Sequence, residues 1–302
     1  HLRAARAKIE MLNGRQFTFD QESRRLYNAV APQFDDSYFQ DIIAELDALI
    51  PEGQTLNELL AQYRQQFAIP PAKLDTVFAV AIETCRTRTS QVIDAPDGEE
   101  FHMEFVDNKP WGAYNWYKGN LFSLIQVNTD RPLTVTRAID LVAHEGYPGH
   151  HLFQILREKE LVDKNGFVEN TVIPLYAPVS LIAEGTAVYG EALVFSQQEK
   201  QHLARHVLFP VAGLDTTGLA TYTRIEALRE KLRNGSVHAA RLYLDGDMTK
   251  EQAMDWLVTN TLSTPKRAAA SLRFIEKYRS YIINYSLGYD LVKTYIETNG
   301  GA

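Results

Sequence analysis

The feature that most restricts this chain is a helical run that reaches a histidine cluster and is then stopped by a proline. Val135, Ala138, Ile139, Leu141 and Val142 repeat with the spacing of one apolar helix face. They lead straight into Ala143-His144-Glu145-Gly146-Tyr147-Pro148-Gly149-His150-His151. Pro148 lacks a backbone N–H and clashes with the carbonyl four residues back, so a regular helix cannot pass through it. Three of the eight histidines fall in this stretch, with a carboxylate beside the first. Further on comes Ala183-Glu184-Gly185-Thr186-Ala187-Val188-Tyr189-Gly190-Glu191, an acidic segment with helical spacing. A His-Glu pair, a second histidine and a later glutamate are the parts of a hydrolytic zinc site.

Two histidines compete for the second place. When the histidines of such a site are four apart, both face the metal from one side of a helix. Here the residue four on from His144 is Pro148. At about 100° per residue, seven residues return nearly to the starting face and six do not, which favours His151. A bulge at Pro148-Gly149 would instead bring His150 back to the face of His144. Spacing alone leaves both open.

The rest of the composition narrows the chemistry. The chain has 302 residues, enough for a sizeable buried core, and Cys85 is its single cysteine. One cysteine closes no intrachain disulfide and builds no thiolate cluster, so histidine and carboxylate must hold any zinc. A net charge of -7 argues against a phosphate-binding face, and nucleic acid is not an expected partner. The apolar runs are short and broken by charges, so no membrane span is expected. The chain opens at His1 in an amphipathic pattern of Leu2, Ala5, Ile9 and Leu12 without a charged-then-apolar leader, as though an earlier part had been removed. That leaves a cytoplasmic location and an exported one (bacterial periplasm or lipoprotein) both open, and the oligomeric state unread.

Taken in order, the chain reads as one catalytic domain over 1–302, with a helical wall at 1–93, a small β-sheet at 94–130 and a helical metal-site core at 131–302. Asp35 or Asp36 caps a helix carrying Phe39, Ile42, Ile43, Leu46 and Leu49. Thr55 with Glu58 is a capping box, and Pro70-Pro71 opens a longer helix through Leu74, Val77, Phe78 and Ile82. After the Asp94-Ala95-Pro96-Asp97-Gly98 turn, Phe101–Val106 and Leu121–Asn128 read as strands, separated by the aromatic stretch Trp111–Tyr117. Such a sheet either offers a strand edge to an extended peptide or simply covers the core. Tyr222, Ile225, Leu228 and Leu232 form a later stripe, Thr249 with Gln252 caps the next helix, and Ser263-Thr264-Pro265 starts another.

His144-Glu145-Gly146-Tyr147-Pro148-Gly149-His150-His151 resembles the His-Glu-x-x-Pro-Gly-His signature of the bacterial DUF885 family. Glu184-Gly185-Thr186-Ala187-Val188-Tyr189-Gly190-Glu191 resembles its Glu-Gly-Trp-Ala-x-Tyr-x-Glu segment, with Thr186 where tryptophan is usual. The resemblance covers Gln126 to Leu193, with echoes at Arg241–Asp245 and Tyr285-Ser286-Leu287-Gly288. The family's histidine after the Asp245 position and its Pro-Gly-Gln-Ala segment before Tyr285 are absent. The family is similar in fold to the M32 carboxypeptidases, which implies a mainly α, elongated zinc-peptidase-like fold with a small β-sheet beside the active-site groove. Within the family the histidine after Pro-Gly is the steadier, which points to His150.

The roles implied are then specific. His144, His150 and Glu184 would hold Zn2+ and leave a fourth position for water. Glu145 would take a proton from that water and pass it to the leaving amine. Glu191, seven residues past Glu184 on the same helical face, is a candidate to orient a ligand histidine, and Asp140 a lesser one. His151 is expected to hydrogen-bond or pack beside the site. By resemblance Tyr285 would stabilise the oxyanion, and Arg279 could bind a substrate carboxylate; tyrosines spaced like Tyr278, Tyr281, Tyr285 and Tyr289 also pack helix seams. The expected function is a zinc-dependent hydrolase, a carboxypeptidase-like metallopeptidase on peptide or other small amide substrates. The alternatives are a peptide-binding protein on the same fold without turnover, and a zinc amidase or esterase.

Overall fold

The computed structural model describes residues 1–109 and 111–299, and the chain is mainly helical with one small sheet. Five α-helices precede the sheet: α1 (Leu2–Leu12), α2 (Phe19–Tyr27), α3 (Asp36–Asp47), α4 (Leu56–Gln66) and α5 (Leu74–Thr89). After it come α6 (Val135–Glu145), α7 (His150–Arg157), α8 (Pro178–Val194), α9 (Gln197–Leu203) and α10 (Phe209–Ala212). The series closes with α11 (Leu219–Lys231), α12 (Asn234–Asp245), α13 (Lys250–Asn260), α14 (Pro265–Tyr278) and α15 (Leu287–Thr298).

Several helices start where a side-chain oxygen satisfies one of the first free backbone N–H groups, although Asp35, at the start of α3, makes no such bond. Thr55 accepts from the Glu58 N–H at 3.3 Å while the Glu58 carboxylate accepts from the Thr55 N–H at 2.8 Å. Thr249 and Gln252 form the same reciprocal pair, and Thr264 caps α14 with Pro265 at its first position. Two further boxes, Thr18 with Gln21 and Ser196 with Glu199, obey the same rule and were not singled out in the sequence.

Chain contacts group the residues into two compact units, neither of which is a single stretch. The first comprises His1–Ala61, Pro174–Gly185 and Ala220–Leu291. Its core gathers Phe19, Leu26 and Tyr27 of α2 with Val237, Ala240, Leu272, Ile275 and Ile283. Burying aromatic and branched side chains of this size stabilises by roughly 1.5–3 kcal/mol each. Polar tethers fix α2 within this unit: Arg241 donates to Asp20 at 3.0 Å and to the Ala31 carbonyl at 2.7 Å, and Asp245 accepts from the Phe19 N–H at 2.6 Å.

The second unit comprises Gln62–Ile173 and Thr186–Leu219, with the chain from Val292 on. It carries the sheet: β1 (Glu100–Val106), β2 (Ala113–Gly119) and β3 (Phe122–Asn128), in the order β1-β3-β2. β3 is central, parallel to β1 and antiparallel to β2. The aromatic stretch expected to separate two strands is therefore largely a strand itself. The period-2 signal was hidden because Tyr114 and Trp116 occupy the outward positions of β2, where polar residues are usual. On β3 the alternate residues Ser123, Ile125 and Val127 are fully buried. Phe105 of β1 meets Phe78 of α5 edge to face at 5.1 Å, and α5 packs along α6. The segments read from sequence as 1–93, 94–130 and 131–302 do not coincide with these units, because helices distant in sequence supply each core.

Candidate metal centre

Helix α6 starts at Thr134, whose hydroxyl accepts from the Arg137 N–H, and buries Val135, Ala138, Ile139, Leu141, Val142 and Ala143. It ends at Glu145, and α7 begins at His150. The irregularity at Pro148-Gly149, one of the two alternatives the spacing left open, takes the form of a break: the chain leaves the helix at Gly146 and re-enters it after Gly149. Pro148 explains the stop, and Gly149 permits the close return. A Cβ at Gly149 would lie 1.8 Å from the His144 carbonyl oxygen, so only glycine lets the turn rest on the end of α6.

This turn sends the two histidines in different directions. The His144 and His150 rings face each other with centroids 4.7 Å apart at 84°. Both side chains are partly exposed, as is that of Glu184. His151 points elsewhere and is 0% exposed. Its Nδ1 lies 2.8 Å from Ser123 Oγ and its Nε2 lies 2.8 Å from Glu99 Oε2, so both ring nitrogens are engaged. Glu145 is buried, and its backbone carbonyl accepts from the Asn115 amide of β2 at 2.8 Å.

Glu99, just ahead of β1, also accepts from the Tyr147 hydroxyl at 2.5 Å and from Arg86 at 2.9 Å. Burial pushes its carboxyl up, but the hydrogen bonds from His151 and Tyr147 and the charge on Arg86 outweigh this and hold it below the usual carboxylate range. Around Glu184, the Tyr281 hydroxyl donates to Oε1 at 3.1 Å, and burial together with that carboxylate pushes the Tyr281 phenol well up. Tyr285 packs edge-on against Tyr281 at 5.8 Å, one ring away from Glu184.

Other residues named from the sequence have different company. Glu191 and Asp140 both accept from the Lys200 ammonium, Asp140 at 2.5 Å. Burial lowers the Lys200 proton affinity, but these two carboxylates outweigh it and hold its pKa above the ordinary value. Asp140 also lies 3.9 Å from the Arg137 guanidinium. Arg279 donates through Nε to the buried Glu22 at 2.6 Å. Burial pushes the Cys85 thiol up to about 12, so it is an inert core residue.

Glu99, Ser123, Asn115, Tyr147 and Lys200 were not singled out by sequence reasoning. Glu99 sits in a turn-to-strand junction, Asn115 and Ser123 in strands and Lys200 in a helix; nothing in their local patterns marks them.

No protein-family model matches this chain, and no curated protein sequence matches it. Among solved structures, one similar to it is that of a protein from Colwellia psychrerythraea described as a "putative lipoprotein", with a TM-score of 0.62 at 15% identity. The match covers 93% of this chain and 48% of that one, so this chain spans about half the length of its structural neighbour. At that identity the likeness is one of fold.

Proposed function

We propose that this chain is a zinc-dependent hydrolase acting on peptides or related small amides, of the DUF885 kind. One observation carries the reading: the His144 and His150 rings, at the end of one helix and the start of the next, face each other with centroids 4.7 Å apart, and Glu184 is the carboxylate proposed to join them. Two imidazoles and one carboxylate fit the donor set of catalytic zinc, which takes three protein ligands and keeps one position open. When bound, such an ion acts as a Lewis acid that polarises a carbonyl and makes water more acidic. Glu145, next to His144, serves as the base that receives a proton from the attacking water and as the acid that returns it to the leaving amine. Asn115 steadies the end of α6 by its bond to the Glu145 carbonyl, so the base and the first ligand share one anchored helix terminus. Tyr285 is the candidate hydrogen-bond donor to the developing oxyanion.

No helix among the described residues is long and apolar enough to cross a membrane. The likeness to a protein described as a lipoprotein supports an exported location.

The test combines metal analysis of the purified chain with a screen of short peptides blocked at either terminus. Glu145→Gln is expected to lower turnover by about 10²–10⁴-fold with zinc content unchanged, as for loss of a positioned general base. A chain that takes up no zinc sinks the proposal. Zinc and peptide binding without any turnover would leave the alternative, a binding protein on this fold.

A further inference from the structure

We propose that Glu99 is a positioning residue for the metal-ligand turn: by holding Tyr147 and His151 together it fixes His150 opposite His144. The inference rests on the zinc reading above and concerns how the turn that carries His150 is held.

The geometry is compact. Glu99 is 5% exposed, and a single carboxylate oxygen, Oε2, receives the Tyr147 hydroxyl at 2.5 Å and faces His151 Nε2 at 2.8 Å. Tyr147 and His151 bracket Pro148-Gly149-His150, so that one oxygen grips both ends of the turn. Arg86 occupies the other oxygen at 2.9 Å and so fixes the carboxylate plane. On the far side of the His151 ring, Ser123 meets Nδ1 at 2.8 Å, and Phe101 packs at 5.1 Å from Tyr147 and 5.2 Å from His151. The other flank of the turn is set by Gly149, which lies against the His144 carbonyl with no room for a Cβ. Between these two constraints His150 has little freedom to move relative to His144. Hydrogen bonds from groups around a metal site orient its ligands in this way, and their loss typically weakens metal binding by about 10–100-fold.

The order Ser123–His151–Glu99 matches that of a nucleophilic triad. That function fails on access, because Ser123 and His151 are each 0% exposed and the hydroxyl lies on the covered face of the sheet. A purely structural network is the remaining competitor, and it predicts a different outcome.

The experiment uses the full chain and two metals. Zinc affinity is measured by competition with a chromophoric chelator, and the ligand geometry is followed by the visible absorption of the Co2+ form. Glu99→Gln keeps the shape but offers one acceptor in place of two. It is expected to weaken zinc by about 10-fold or more and to shift the Co2+ bands. Tyr147→Phe removes one hydroxyl and keeps the ring, with a smaller loss of about threefold in the same direction. It decides the matter if Glu99→Gln does not fold. A folded Glu99→Gln chain with wild-type zinc affinity and an unchanged Co2+ spectrum, showing only a lower melting temperature, overturns the positioning role and leaves the zinc reading intact. Wild-type chain that binds neither metal overturns both.

Discussion

Glu22 of the first unit and Glu99 of the second are 1% and 5% exposed, and each is surrounded by donors. Glu22 accepts from Ser280 N at 3.1 Å, Ser280 Oγ at 2.7 Å and Arg279 Nε at 2.6 Å; Glu99 accepts from Tyr147 and Arg86 and faces His151. The physical problem is the same, since a buried carboxylate is tolerable only when its lone pairs are filled. The solutions differ in what is held. Glu22 ties α2 to the residues that end α14, where Arg279 adopts a φ of 54°, and so stabilises the break between α14 and the 3-10 helix at Arg279–Tyr285. Glu99 ties two residues that flank a candidate metal ligand. A buried glutamate therefore says little about function by itself; the residues beside its donors carry that information.

The sharpest way to break this contrast is from the turn itself. Gly149→Ala would drive a Cβ to 1.8 Å from the His144 carbonyl oxygen. A clash with backbone should cost about 3 kcal/mol, read as a lower denaturation midpoint, and abolish tight zinc binding in the fraction that folds. Next in size is Glu22→Gln, which leaves a buried donor unfilled. It should cost about 2 kcal/mol of stability while changing zinc affinity far less than Glu99→Gln does. An equal loss of zinc affinity at both positions would erase the distinction between the two glutamates.

The smallest effect is a pH dependence. Because the Glu99 carboxyl is held below its ordinary value of 4.5 in the folded chain, its contribution is fully present above that value. It is lost as pH falls through the depressed folded value. The stability gap between wild type and Glu99→Gln should hold near pH 6 and shrink below about pH 4. A gap that widens on acidification would mean that Glu99 is not held in its charged form.

Local grammar was legible along most of the chain. The boxes at Thr55–Glu58 and Thr249–Gln252, the Pro70-Pro71 break and the Tyr222–Leu232 stripe all reappear, because capping and helix periodicity act within a few residues. The strand at Ala113–Gly119 escaped because outward aromatics masked its alternation. The residues that hold His151 escaped for a different reason: Glu99 and Ser123 meet it from 52 and 28 residues away, a range at which no local pattern operates.

The sequence by itself determined that the chain would be mainly helical, that a histidine-bearing helix could not run regularly through Pro148, and that any metal would rest on imidazole and carboxylate. Backbone sterics and donor chemistry are properties of neighbouring residues, and they need no fold to act. Only the tertiary structure decided that His150 faces His144 while His151 turns into the core. That choice depends on Glu99 and Ser123 filling both nitrogens of His151, and packing alone brings those residues to its ring.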